Sequence, residues 1–81
     1  MAVQLATQDQ RDYLHSLASQ LARLISGGDP LASRIAREAN AALLTHEYAA
    51  RLISLAEDAV RALEGGNVTV GPWGEQYELQ A

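Results

Sequence analysis

Apolar residues recur every three or four positions along most of the chain, which is the spacing of one face of an amphipathic helix. The first such stretch begins after Thr7 and ends before Gly27-Gly28. Thr7 and Gln10 have the spacing of a capping box, and a glycine pair commonly ends a helix. The sequence therefore predicts a loose lead-in over residues 1–6 and a first helix over residues 8–26. Its apolar face comprises Leu14, Leu17, Ala18, Leu21, Leu24 and Ile25.

Asp29-Pro30 predicts the start of a second helix, because Asp is a good N-cap and Pro is tolerated at the first helical position. The apolar spacing that follows predicts this helix over residues 30–44. Thr45 is a possible N-cap for a third helix over residues 46–64. No Gly or Pro interrupts the chain near Thr45, so one continuous helix over residues 30–64 is the alternative. We favour a break at Thr45.

The end of the chain, residues 67–81, changes to the alternation typical of β-strands. Gly71-Pro72-Trp73-Gly74 suits a type I turn, with Pro second and Gly fourth. A four-residue loop at this turn would place Val68 opposite Tyr77. Because so short a hairpin is not stable alone, it must dock on the helices, pair with a second copy or join a partner's sheet. A flexible tail that orders on binding is the alternative.

These patterns predict a single domain over residues 1–81. The expected fold class is mainly α, a small bundle of two or three antiparallel helices with a short C-terminal β-hairpin or extended tail. A chain of 81 residues without Cys must gain stability from tight helix packing or self-association. Alanines at helical spacing suit either packing within the chain or a homodimer, and we expect a homodimer. They are Ala32, Ala36, Ala39, Ala42, Ala49, Ala56 and Ala59.

Several functional classes find no support in the sequence. The longest apolar run spans four residues, 41–44, whereas a membrane span needs about 20. The first ten residues lack the features of a signal peptide, so we expect a soluble, cytoplasmic protein with no membrane partner. His46-Glu47 lacks the second His of a zinc protease motif, and the other His, His15, is distant in sequence. We therefore expect no metal, no cofactor and no enzymatic activity.

Nucleic-acid binding rests on Arg34 and Arg37, which lie three residues apart on the predicted second helix. The net charge of −4 and the absence of Lys disfavour it, because phosphate contacts supply most of the affinity of such proteins. A DNA-binding or antitoxin-like regulator, with the tail at residues 67–81 clasping a toxin, is an alternative function. A chaperone or structural subunit of a larger assembly is another.

Trp73 is the strongest candidate for partner binding, because aromatic residues on turns are frequent interface hot spots. Pro72, Glu75 and Tyr77 surround it in sequence. In the alternative, Trp73 folds back over the helix ends and closes a small core. We hypothesise a non-catalytic, homodimeric inhibitor or regulator of a larger protein. Phage-encoded modulators of host machinery, including anti-CRISPR proteins, are similar in size and composition, but no motif is shared.

Overall fold

A computed structural model describes the backbone of residues 3–78 and their side chains except those of residues 25–29. It contains three helices and two strands, in the order α1 (Gln8–Arg23), α2 (Ile25–Ala39), α3 (His46–Glu64), β1 (Val68–Val70) and β2 (Gln76–Glu78). The predicted fold class, a small helical bundle with a short C-terminal hairpin, is confirmed.

Threonine caps begin α1 and α3, as the sequence predicts. The Thr7 hydroxyl accepts a hydrogen bond from Gln10 N–H at 3.1 Å, and the Gln10 side chain accepts one from Thr7 N–H at 3.0 Å. The Thr45 hydroxyl accepts one from Tyr48 N–H at 3.1 Å. The break at Thr45 is therefore confirmed, and the alternative of one helix over residues 30–64 is wrong.

The boundary between α1 and α2 differs from the prediction. α1 ends at Arg23, and Leu24 alone, with ψ 67°, separates it from α2. The Leu24 N–H donates to the carbonyls of Gln20 and Leu21. Gly27-Gly28 therefore does not end α1, and Asp29-Pro30 lies inside α2 instead of starting it. Glycine permits helical backbone as readily as left-handed backbone, so the pair allows a helix end without imposing one.

α2 also ends earlier than predicted, at Ala39 instead of residue 44. Arg11 Nη1 donates to the carbonyls of Ala39 and Ala41, both at 2.8 Å, and so satisfies backbone groups that the helix end leaves unpaired. Beyond that point Leu5 forms an antiparallel bridge with Thr45. Residues 3–6 are therefore paired with the α2–α3 connection and are not a loose lead-in. Met1 and Ala2 lie outside the described residues.

The same contacts show that consecutive helices are antiparallel. Arg11, near the start of α1, meets the end of α2, and the Gln10 side chain donates to the carbonyl of His46 at the start of α3. α1 packs against both α2 and α3. Among the described side chains, the buried core is entirely apolar. Its largest fully buried members are Leu14, Leu21, Leu31, Ile35 and Leu52.

Most of the predicted alanine face packs within the chain. Ala36 is half-buried and Ala42 is exposed. The others are buried, namely Ala32, Ala39, Ala49, Ala56 and Ala59. Small side chains therefore serve close packing inside the bundle, which was the alternative to packing across a dimer axis.

The hairpin packs on the bundle through β1, which contacts α2 and α3 and buries Val70. The predicted turn is closed by a hydrogen bond of 3.0 Å from Gly74 N–H to the Gly71 carbonyl. Gly71 N–H then donates to the Glu75 carbonyl at 2.9 Å. Gly74, with φ +84°, is thus an extra residue that forms a bulge on the second strand.

The bulge shifts the register by one residue from the prediction. Val68 pairs with Glu78, and Thr69 pairs with Tyr77. The predicted pairing of Val68 with Tyr77 is therefore wrong, because Gly71 belongs to the ladder and only three residues form the loop. A one-residue shift exchanges the two faces of a strand. Tyr77 consequently lies on the face opposite to the buried Val70 and is 56% exposed.

Candidate protein-interaction site

Trp73 lies on the hairpin turn with 68% of its surface exposed. The alternative in which it closes a small core is therefore wrong. The core is complete with aliphatic side chains from the three helices and β1. The largest aromatic side chain of the chain is thus presented at the surface, next to the exposed Pro72.

Arg34 of α2 holds Trp73 in place. Its guanidinium carbon lies 4.5 Å from the centre of the indole ring, which is a cation–π contact. Nη2 donates to the Tyr48 hydroxyl at 3.0 Å, and Nη1 lies 3.5 Å from the Pro72 carbonyl oxygen. One guanidinium therefore connects α2, α3 and the hairpin turn. We refer to Arg34, Tyr48, Pro72 and Trp73 as the Trp73 cluster.

The turn beneath Trp73 is fixed by close packing. A Cβ on Gly74 would come within 2.8–2.9 Å of the end of the Leu55 side chain, which would have to move, and the φ of +84° also favours glycine here. Glu75 is half-buried, and its carboxylate lies beside Gly71 and accepts a bond of 3.4 Å from Trp73 N–H. Glu75, predicted as a partner contact, therefore folds back over the turn and orders it.

The other predicted residues occupy separate places. Tyr77 lies on β2 opposite Thr69, on the solvent side of the hairpin. Arg37 is exposed, whereas Arg34 is half-buried and committed to Tyr48 and Trp73. The structure therefore brings Pro72 and Trp73 together with Arg34 but does not form an Arg34–Arg37 pair on one open face.

The sequence did not indicate that Arg34 and Tyr48 belong to the same site as Trp73. Arg34 and Pro72 are 38 residues apart, and no local pattern connects them. The sequence contains one indication that Arg34 has such a role. Arg34 interrupts the apolar face of α2 between Leu31 and Ile35. An Arg in that position can pack its stem along the apolar surface, so that its guanidinium reaches towards a neighbouring element.

Two further side-chain contacts lie away from the Trp73 cluster. The Tyr13 hydroxyl donates to Glu57 at 2.6 Å, and this hydrogen bond to a carboxylate raises the pKa of Tyr13 above 10.0. Both residues lie on the exposed surface. His15 pairs with Asn40 at 3.1 Å, and among the side chains that the structure describes, which exclude those of residues 25–29, no three metal-ligating groups come together.

Comparisons with known proteins do not assign the chain to a family. No protein-family model matches the sequence, and neither a curated protein nor a solved structure is significantly similar to the chain. In the described region, every helix is too short or too polar to cross a membrane.

Proposed function

We propose that this chain is a non-catalytic binding protein that docks onto a larger protein through the Trp73 cluster. The observation that carries the proposal is the exposure of the only Trp, held in one orientation by Arg34. Rigid aromatic anchors bury a large area on binding at a small entropic cost, and they dominate the energetics of many interfaces.

The local chemistry favours a protein partner over a nucleic acid. The net charge of −4 repels phosphates, and the best-placed cation, Arg34, already bonds to Tyr48 and stacks on Trp73. The proposal therefore assigns Arg34 to positioning Trp73. We further propose that binding inhibits or regulates the partner in the cytoplasm. A phage origin and an anti-CRISPR-like role stay hypotheses based on size and composition.

The test compares variants in affinity capture from nuclease-treated bacterial lysates. Trp73→Ala should lose a partner that the unchanged chain retains, while its helical circular dichroism is preserved. Tyr13→Ala is the matched control, because Tyr13 is an exposed aromatic on α1, a helix that does not pack against the hairpin. Equal retention of the partner by all three proteins would exclude Trp73 as the anchor.

Arg34→Lys sharpens the test, because Lys keeps the charge but lacks the planar group that stacks and donates to Tyr48. We expect weaker partner retention and faster motion of Trp73, measured as lower fluorescence anisotropy of the indole. Unchanged anisotropy would show that Arg34 does not hold the ring.

The homodimer remains a prediction. We propose that its interface lies at one end of the bundle. Val3, Leu5 and Leu43 are exposed there around the Leu5–Thr45 bridge, and Leu43 is 82% exposed. A second copy covering this end would bury the apolar surface that the alanine packing leaves uncovered. Leu43→Glu should then convert the dimer into a monomer in sedimentation velocity, whereas a monomeric unchanged chain would refute the assignment.

A further inference from the structure

The outer edge of β2 has unpaired backbone groups. Gly71 N–H donates to the Glu75 carbonyl, so the alternation of an antiparallel ladder makes Thr69 and Tyr77 the next hydrogen-bonded pair. The N–H and C=O groups of Gln76 and Glu78 are then directed away from β1. Within residues 3–78 the sheet has two strands only, so no described element pairs with this edge. All three residues of β2 are exposed. An open edge of this kind is a template for a further strand.

A cleft beside β2 gives the edge a second recognition element. It is shallow and largely open to solvent, has a volume of about 410 Å³ and lies between α3 and the hairpin. A strand added beside β2 would have side chains alternating between this cleft and the solvent side where Tyr77 lies. The cleft is lined by Arg51, Ser54, Leu55, Asp58, Gly74 and Gln76.

The acidic charge of the hairpin favours a basic strand as the added strand. Residues 65–81 contain two acids, Glu75 and Glu78, and no basic residue. A second copy of the hairpin would bring another Glu78 and no cation of its own to this edge, and like charges near each other weaken strand pairing. A segment with Lys or Arg opposite Glu78 would form a favourable cross-strand pair.

We propose that the β2 edge binds an extended, basic segment of a partner protein by strand addition. The proposal rests on the proposed function only in taking a protein as the partner. In this proposal the backbone groups of Gln76 and Glu78 pair with the backbone of the partner segment. The Glu78 carboxylate favours a basic residue opposite it, and the cleft against α3 accepts a side chain of the segment.

The test follows backbone amides of the isotope-labelled full chain by NMR during titration with a defined peptide. The probe is acetyl-Lys-Lys-Val-Thr-Val-Lys-Lys-amide at up to millimolar concentration. Shifts should concentrate at Gln76, Glu78 and Leu55. Hydrogen exchange of the Gln76 and Glu78 amides should slow about tenfold at saturation, while the Thr69 amide, already in the ladder, should not change.

Two altered peptides are the controls. The same peptide N-methylated at both valines and at the threonine between them cannot make the main-chain bonds along either edge, and a peptide with Glu replacing Lys carries the opposite charge. Both should shift the amides far less. Absence of shifts with the first probe, or equal shifts with all three, would overturn the proposal. Protection of Gln76 and Glu78 that grows with protein concentration alone would also overturn it, in favour of a second copy.

Two variants locate the binding on the protein. Gln76→Pro removes an outward N–H that the ladder does not use, and Pro is tolerated on such edges. It should abolish the peptide-induced shifts while Thr69 stays protected. If Gln76→Pro disrupts the hairpin, Glu78→Lys decides, because it should reverse the preference from the Lys peptide to the Glu peptide. An unchanged preference would contradict the proposal.

The two proposals fail separately. Equal partner retention by Trp73→Ala and the unchanged chain, with normal peptide binding, would exclude the Trp73 cluster and leave the β2 edge intact as a site. Normal capture by the unchanged chain with no peptide binding would leave the Trp73 cluster and remove the β2 edge.

Discussion

Large apolar side chains are buried in the helical bundle but mostly exposed in the hairpin. The bundle buries its large aliphatic side chains almost completely, including Leu14, Leu21 and Leu52. In the described part of the hairpin, Val70 is the one buried side chain, while Trp73 and Tyr77 are mostly exposed. Burial of apolar area drives folding, and exposed apolar area is available for binding. We infer that the bundle provides most of the folding free energy and that the hairpin provides the surface that contacts a partner.

The largest expected effect is in the bundle core. Leu21 is fully buried, so Leu21→Ala should lower the free energy of unfolding by about 2–5 kcal/mol. Gln20→Ala is the control, because truncation at the neighbouring, exposed position of α1 should cost less than about 0.5 kcal/mol. Urea unfolding followed by circular dichroism measures both. Similar losses at the two positions would contradict the assigned core.

The attachment of the hairpin is tested by two glycines that share a backbone conformation. Gly66 and Gly74 both have φ +84°, but only Gly74 lies against Leu55. Gly66→Ala should cost about 1–2 kcal/mol from the left-handed backbone alone. Gly74→Ala should cost more than Gly66→Ala, because the end of the Leu55 side chain must also shift to make room for the new Cβ.

Leu55→Ala should recover part of the loss in the Gly74→Ala background and none in the Gly66→Ala background. Urea unfolding of the four variants gives these differences. Equal effects of the two glycine substitutions would show that the turn does not pack on α3.

A smaller effect is expected at the start of α3. Thr45→Ala removes the side-chain acceptor for Tyr48 N–H and should cost about 1 kcal/mol in the free energy of unfolding. Thr45→Ser keeps the acceptor and should cost less. If the two substitutions had the same effect, the hydroxyl would not be the cap.

The smallest effect concerns pH. The raised pKa of Tyr13 means that the folded chain favours the neutral phenol, which donates to Glu57. This contribution to stability is present below the ordinary tyrosine pKa of about 10 and is lost as pH rises through the raised value. Phenolate absorbance in a background of Tyr48→Phe and Tyr77→Phe measures the titration. Glu57→Gln should lower the Tyr13 pKa towards its ordinary value, and no change would exclude the Glu57 contact as the cause.

Local signals in the sequence predicted local structure well. The caps at Thr7 and Thr45 depend on residues three positions apart, and the turn at Gly71-Pro72-Trp73-Gly74 depends on four consecutive residues. The apolar spacing likewise predicted the mainly α fold, because helix faces follow from residue order alone.

Features that depend on tertiary packing were missed. The bend at Leu24 follows no sequence signal, since the nearby glycines and Pro30 lie within α2. Gly74 suits both the fourth position of a type I turn and a glycine bulge, so the sequence alone did not separate the two hairpin registers. The Trp73 cluster joins two helices and a turn, so its geometry could not be read from any one segment.

Urea unfolding of Trp73→Ala tests the division between bundle and hairpin most directly. The assignment of Trp73 to partner contact predicts a free energy of unfolding within about 1 kcal/mol of the unchanged chain, since the ring is 68% exposed and its cation–π contact contributes only about 0.5–1 kcal/mol. A loss of about 3–5 kcal/mol, as expected for a buried Trp, would contradict it.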